Sequence, residues 1–100
     1  MENYYEQIND LSQDLLILAR TEKRIDKKSF EKFYSILERI ENDVRGEEYI
    51  SRKMVGLIFF IYCSLSNEVT TNNYKDELFR AVGRLEDILD RIFWESPFKE

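Results

Sequence analysis

Six carboxylates stand close enough along the chain to suggest paired acid and base groups: Glu38, Glu41 and Asp43, then Glu86, Asp87 and Asp90. Such pairs do proton-transfer chemistry only where a pocket and its neighbours split their pKa values. No pocket can be read around these six. They fall on helix faces where Glu38 and Asp87 have basic neighbours nearby, so they read as solvated charges in weak local pairs. The chain has no histidine. That removes Ser-His-Asp and Cys-His nucleophiles, HExxH zinc sites, histidine-ligated haem and the ExxH di-iron bundle motif. The one cysteine, Cys63, excludes an internal disulfide and a cysteine zinc cluster. It lies inside an apolar run and reads as a buried, inert thiol. The glycines, three in number, are isolated and form no phosphate-cradling loop. No catalysis, no metal and no cofactor are expected.

What remains is binding. The charge balance, 15 basic against 20 acidic residues, gives a net charge of −5. Neutralising nucleic-acid phosphates needs a basic face, so a nucleic-acid partner is not expected. Arg20, Lys23, Arg24, Lys27 and Lys28 could meet an anionic surface, but Glu22 and Asp26 lie among them and a solvated loop is the simpler reading. Gly83 projects to the polar side of its helix, among Arg80, Arg84, Asp87 and Arg91. Core packing gives no reason for it there, and glycine costs about 1 kcal/mol against alanine inside a helix. It reads either as plain tolerance or as a place where a partner comes close. Trp94 and Phe98 follow the last regular helix, and aromatics so placed tend to bury themselves or to anchor an interface. The expectation is that this tail folds back over Phe59 and Phe60.

The elements that must position these residues are helical. Glycine at 3 and proline at 1 in 100 residues leave few breaks. Apolar residues recur at three- and four-residue spacing in four segments, about 3–19, 27–45, 47–66 and 73–93, with a tail at 94–100. The stripes are Tyr4, Ile8, Leu11, Leu15, Leu18 and Ala19; Phe30, Phe33, Leu37, Ile40 and Val44; Met54, Ile58, Ile61 and Leu65; and Tyr74, Leu78, Ala81, Val82, Leu85, Ile88, Leu89 and Ile92. The third segment is apolar nearly all round and should be covered on more than one side. Asp26 is a candidate N-cap for the second helix and Thr71 or Asn72 for the fourth, while Arg45-Gly46 signals a stop. Four helices of matched length with short loops predict one all-α domain, an antiparallel up-down four-helix bundle.

The first ten residues lack the basic start and apolar core of a secretion signal. The longest apolar stretch, Met54 to Cys63, is half the length of a membrane span. A cytoplasmic protein is expected.

The residues from Ser51 to Leu89 resemble a known family. Met54-Val55-Gly56-Leu57-Ile58-Phe59-Phe60-Ile61-Tyr62, then Ser66-Asn67-Glu68-Val69-Thr70-Thr71, then Tyr74-Lys75-Asp76-Glu77-Leu78 are similar to the third helix, Asn-containing loop and Tyr-x-x-Glu-Leu start of the immunity proteins for pediocin-like (class IIa) bacteriocins, of the enterocin A immunity type. Length, acidic start and helix spacing match over nearly the whole chain. The resemblance implies a cytosolic four-helix bundle that protects a producer cell from its own antimicrobial peptide. It implies recognition, from the cytoplasmic side, of the bacteriocin bound to its receptor, the mannose phosphotransferase permease, with possible contact at the membrane surface and no chemistry. Specificity in that family lies in the C-terminal half, which here holds Arg80, Gly83, Arg84, Arg91, Trp94 and Phe98. This chain departs from the family in its short tail. A monomer is expected. The competing reading is a small helical adaptor or regulator that dimerises through the third helix.

Overall fold

In a computed structural model the described residues, 3–95 without the side chain at 95, are helical and contain no strand. Four α-helices follow one another: α1 (Tyr4–Glu22), α2 (Lys27–Val44), α3 (Arg52–Glu68) and α4 (Glu77–Asp90). A π-helical turn, Arg91–Glu95, continues α4. The periodic stripes are what the core is made of. Ile8 and Leu15 of α1, Phe30, Phe33, Leu37 and Ile40 of α2, Met54, Ile58, Ile61 and Leu65 of α3, and Leu78 and Leu85 of α4 are fully buried in one cluster. Burying apolar area at about 25 cal/mol per Å² is the main force that holds such helices together. Leu16, Tyr34 and Ile36 join this core beside the expected stripes, whereas Tyr74 stands 69% exposed and leaves its stripe.

Helix α1 packs on α2 and α3, and α4 packs on the same two. Side chains show which ends meet. The Tyr4 hydroxyl donates to Asp43 Oδ2 at 2.7 Å, joining the start of α1 to the end of α2. The Lys53 ammonium lies 4.4 Å from the Tyr5 ring centroid, and Lys23 pairs with Glu68, so α1 and α3 meet start to start and end to end.

The helix ends depart from the spacing in ways that have physical causes. Helix α1 runs on to Glu22, absorbing part of the expected basic loop, and Lys23 closes it in a left-handed conformation (φ 57°). Asp26 occupies the N-cap position of α2, but its carboxylate accepts from the Ser29 hydroxyl at 3.1 Å rather than from a backbone amide. The expected stop after α2 is present: Arg45 is the C-cap and Gly46 takes φ 78°, a region where glycine carries no steric cost. Helix α3 starts at Arg52, five residues later than the spacing suggests, because Ser51 caps it by accepting from Met54 N at 3.2 Å. Helix α4 starts at Glu77, with Asp76 as its cap through Phe79 N at 3.1 Å. Thr71 and Asn73 instead accept from the amides two residues on, each at 3.0 Å, holding 71–75 in turns. Neither Thr71 nor Asn72 is the cap.

Two expectations about α3 fail. It is not covered on several sides, since Phe59 and Phe60 stand 63% and 53% exposed. Cys63 is half-buried, not buried, because it lies on that same outer side. Among the described residues no helix is long and apolar enough to cross a membrane.

Candidate functional site

The C-terminal residues singled out in the sequence lie along one side of α4 and its π-helical extension. The Asp76 cap sets where α4 begins, and the buried stripe Leu78–Ala81–Val82–Leu85–Ile88 sets how it is rotated. That rotation carries Arg80, Arg84 and Arg91 to the side facing α2. Arg84 Nη1 donates to Glu31 Oε2 at 3.0 Å, and its guanidinium carbon sits 4.1 Å from the Tyr34 ring centroid. Arg91 Nε is shared between the two Glu41 oxygens at 3.2 and 3.3 Å, and Glu41 also accepts from Arg45. The outward arginine face expected from spacing is therefore, at Arg84 and Arg91, a pair of fastenings between α4 and α2. Opposite charges on the neighbouring helix lie within reach, and each guanidinium takes them.

Arg80 remains exposed, at the mouth of an open groove that Ile25, Lys27, Glu31 and Glu77 also line. Gly83 is half-buried, and a Cβ built there meets nothing within 4 Å. Among the described residues no close packing requires glycine at this position. Trp94 belongs to the π-helical turn rather than to a tail and is 72% exposed. It does not cover Phe59 and Phe60, so the expected fold-back does not occur through Trp94. Phe98 lies outside the described residues.

The neighbouring side of α4 meets α3. The Tyr62 hydroxyl donates to Glu86 Oε2 at 2.6 Å, and this bond to a carboxylate, aided by some burial, pushes the Tyr62 pKa up. Around it Val55, Phe59, Leu89 and Phe93 form a shallow apolar groove, with Glu86 and Asp90 also along it. Phe93 (43% exposed) and Trp94 extend the exposed aromatic surface past the end of α4. The sequence marked Phe59, Phe60 and Trp94 as off the core stripe. It missed Phe93, which follows Ile92 and so could be read only as the helix's last residue.

Three of the six carboxylates considered for acid–base work are engaged in bonds between or along helices. Glu41 binds Arg91 and Arg45, Asp43 accepts from Tyr4, and Glu86 accepts from Tyr62. Among the described residues no group of acidic or cysteine side chains could hold a metal ion. The arrangement offers exposed aromatic area beside charged edges, which suits recognition of another surface. Set against known protein families, curated proteins and solved structures, the chain matches none of them.

Proposed function

We propose that the protein acts by binding, with no chemistry of its own, as an immunity protein against a class IIa bacteriocin. In this reading it works in the cytoplasm of the producer cell, on the inner face of the membrane. It meets the bacteriocin held on the mannose phosphotransferase permease and closes the pore that this complex forms. The observation that carries the reading is Trp94, 72% exposed beside Phe93 at the end of the last helix. A large aromatic left in water is a typical anchor for a protein interface. Arg80, Gly83 and Trp94 form the contact surface, and Arg84 and Arg91 hold it by fastening α4 to α2.

The bundle proposed for this task is antiparallel and up-down. Its support is the pairing of ends: α1 meets α2 start to end, and meets α3 start to start. Arg84 with Glu31 and Arg91 with Glu41 likewise set α2 and α4 side by side in the same sense. The ring order that fits these contacts is α1, α2, α4, α3, with the α2–α3 connection crossing the end of the bundle.

Expression in a strain sensitive to a panel of class IIa peptides tests the function. Resistance to at least one peptide is expected, and unchanged sensitivity across the panel refutes it. Trp94→Ala and Arg80→Glu are expected to lower protection while thermal unfolding stays unchanged, because both side chains are exposed. Full protection in both variants overturns the assignment of the surface.

A further inference from the structure

Among the described residues no other helix covers the outer face of α3, although Phe59 borders the shallow groove that Leu89 and Phe93 also line, and the residues of this face repeat in a particular way. At 100° per residue, Arg52, Gly56, Phe59, Phe60, Cys63 and Asn67 lie within about 60° of one line, opposite the buried Met54–Ile58–Ile61–Leu65 stripe. Arg52, Gly56, Phe59, Phe60 and Asn67 are exposed and Cys63 is half-buried. The successive spacings along this seam read the same forwards and backwards. A seam of that kind is complementary to itself when a second copy lies antiparallel: the aromatic centre meets the aromatic centre, and small residues meet small residues. Gly56 has open space where a Cβ would stand, which lets a second backbone approach closely.

Charge selects the antiparallel sense. The α3 start presents Arg52 on this face and no acidic residue in its first turn, against the sign of the helix dipole there, while Lys53 is turned to the Tyr5 ring of α1. The α3 end is the negative end of its dipole and carries the uncharged Asn67 on this face, while Glu68 is held by Lys23 of α1. Antiparallel pairing brings each cationic start to the partner's negative end. Parallel pairing would set Arg52 against Arg52.

From this we propose that two copies of the chain associate through α3, antiparallel, with Phe59 against Phe60, Gly56 against Cys63 and Arg52 against Asn67 across the two-fold axis. The exposed phenylalanines become the centre of the interface, and the axis passes between positions 59 and 60. The proposal does not rest on the function argued above, because that surface runs along α4.

The test uses the full chain. Sedimentation equilibrium is expected to give twice the chain mass of 12.1 kDa. Phe60→Asp places carboxylates close to the axis and is expected to weaken the dimer on the order of tenfold or more, with helicity by circular dichroism unchanged. Register is read by disulfides. Two Cys63 side chains are offset by seven residues in this pairing, about 10 Å along the axis, beyond the reach of a bridge. The wild-type chain therefore forms no covalent dimer on oxidation. Gly56→Cys faces Cys63 of the second copy and forms one, while Gly56→Cys with Cys63→Ser does not. A single-chain mass at every accessible concentration overturns the proposal. So does a dimer that bridges through Cys63 alone, or one in which Gly56→Cys fails to cross-link.

Discussion

Tyr34 meets its surroundings through three groups at once. Its hydroxyl donates to the Ala81 carbonyl at 2.9 Å, Arg84 lies over its ring, and Phe30 packs edge-on with ring centroids 5.9 Å apart. Arg84 in turn reaches Glu31, so one aromatic residue on α2 organises the contact with α4. Tyr34→Phe keeps the ring and removes the hydroxyl. Ala81 retains its place in the helix, so the loss is one buried bond, about 0.5–1.5 kcal/mol by urea denaturation. The same residue makes a pH prediction. Burial, the dominant cause, pushes its pKa from 10.0 up to about 12, with Arg84 opposing and Glu31 adding. Below pH 10 the hydroxyl is protonated in both states, and its contribution to stability is complete. Between pH 10 and 12 the unfolded chain releases this proton while the folded chain keeps it, so unfolding is increasingly favoured. The urea midpoint should fall across that window, and fall less steeply in Tyr34→Phe. Tyr62, raised through its bond to Glu86, adds a slope of the same sign that survives this substitution.

At the level of the helix, burial could be read from spacing and boundaries could not. Met54, Ile58, Ile61 and Leu65 are the apolar residues α3 buries, as a 3.6-residue period requires. The period says nothing about where the first turn begins, because residues 47–50 would continue the pattern as well as residues 52–55 do. Ser51 decides it by offering an oxygen to Met54 N. In α4, Tyr74 lies one turn before Leu78 and looks like part of the stripe. The polar side chains of Thr71 and Asn73 capture local amides and leave Asp76 as the cap. Ser51→Ala and Asp76→Ala should each therefore cost about 1 kcal/mol, measured as a lower urea midpoint with an unchanged m-value. Asn72→Ala, at the position that spacing alone nominates, should leave the midpoint where it is. The arginines of α4 follow the same logic. Their common face was legible, but whether it met water or α2 depended on which helix lies alongside, and no period within α4 carries that information.

Across the whole molecule the question is whether apolar packing or the charged fastenings hold the four helices together. The fastenings are conspicuous: Lys23 with Glu68 joins α1 to α3, and Arg84 with Glu31 and Arg91 with Glu41 join α4 and its extension to α2. The Arg84–Glu31 pair, however, has side chains 49% and 65% exposed. In water such a pair gains little, because each charge is already well solvated and ordering two long side chains costs entropy; its net worth is about 0–1 kcal/mol. Leu37, by contrast, is fully buried between α2 and the rest of the core. Cutting it to alanine removes apolar contact and leaves a cavity, which costs about 2–5 kcal/mol. Leu37→Ala should therefore lower the melting temperature far more than Glu31→Gln. Raising salt to about 1 M, where the screening length is near 3 Å, should likewise barely move the wild-type melt. If Glu31→Gln or salt destabilised the fold as much as Leu37→Ala, the charged pairs would be structural supports. The expected order assigns them a smaller part: they fasten the rim of α4 to α2 on a bundle that the apolar stripes have already assembled and whose buried α4 stripe already sets which way Arg80 faces.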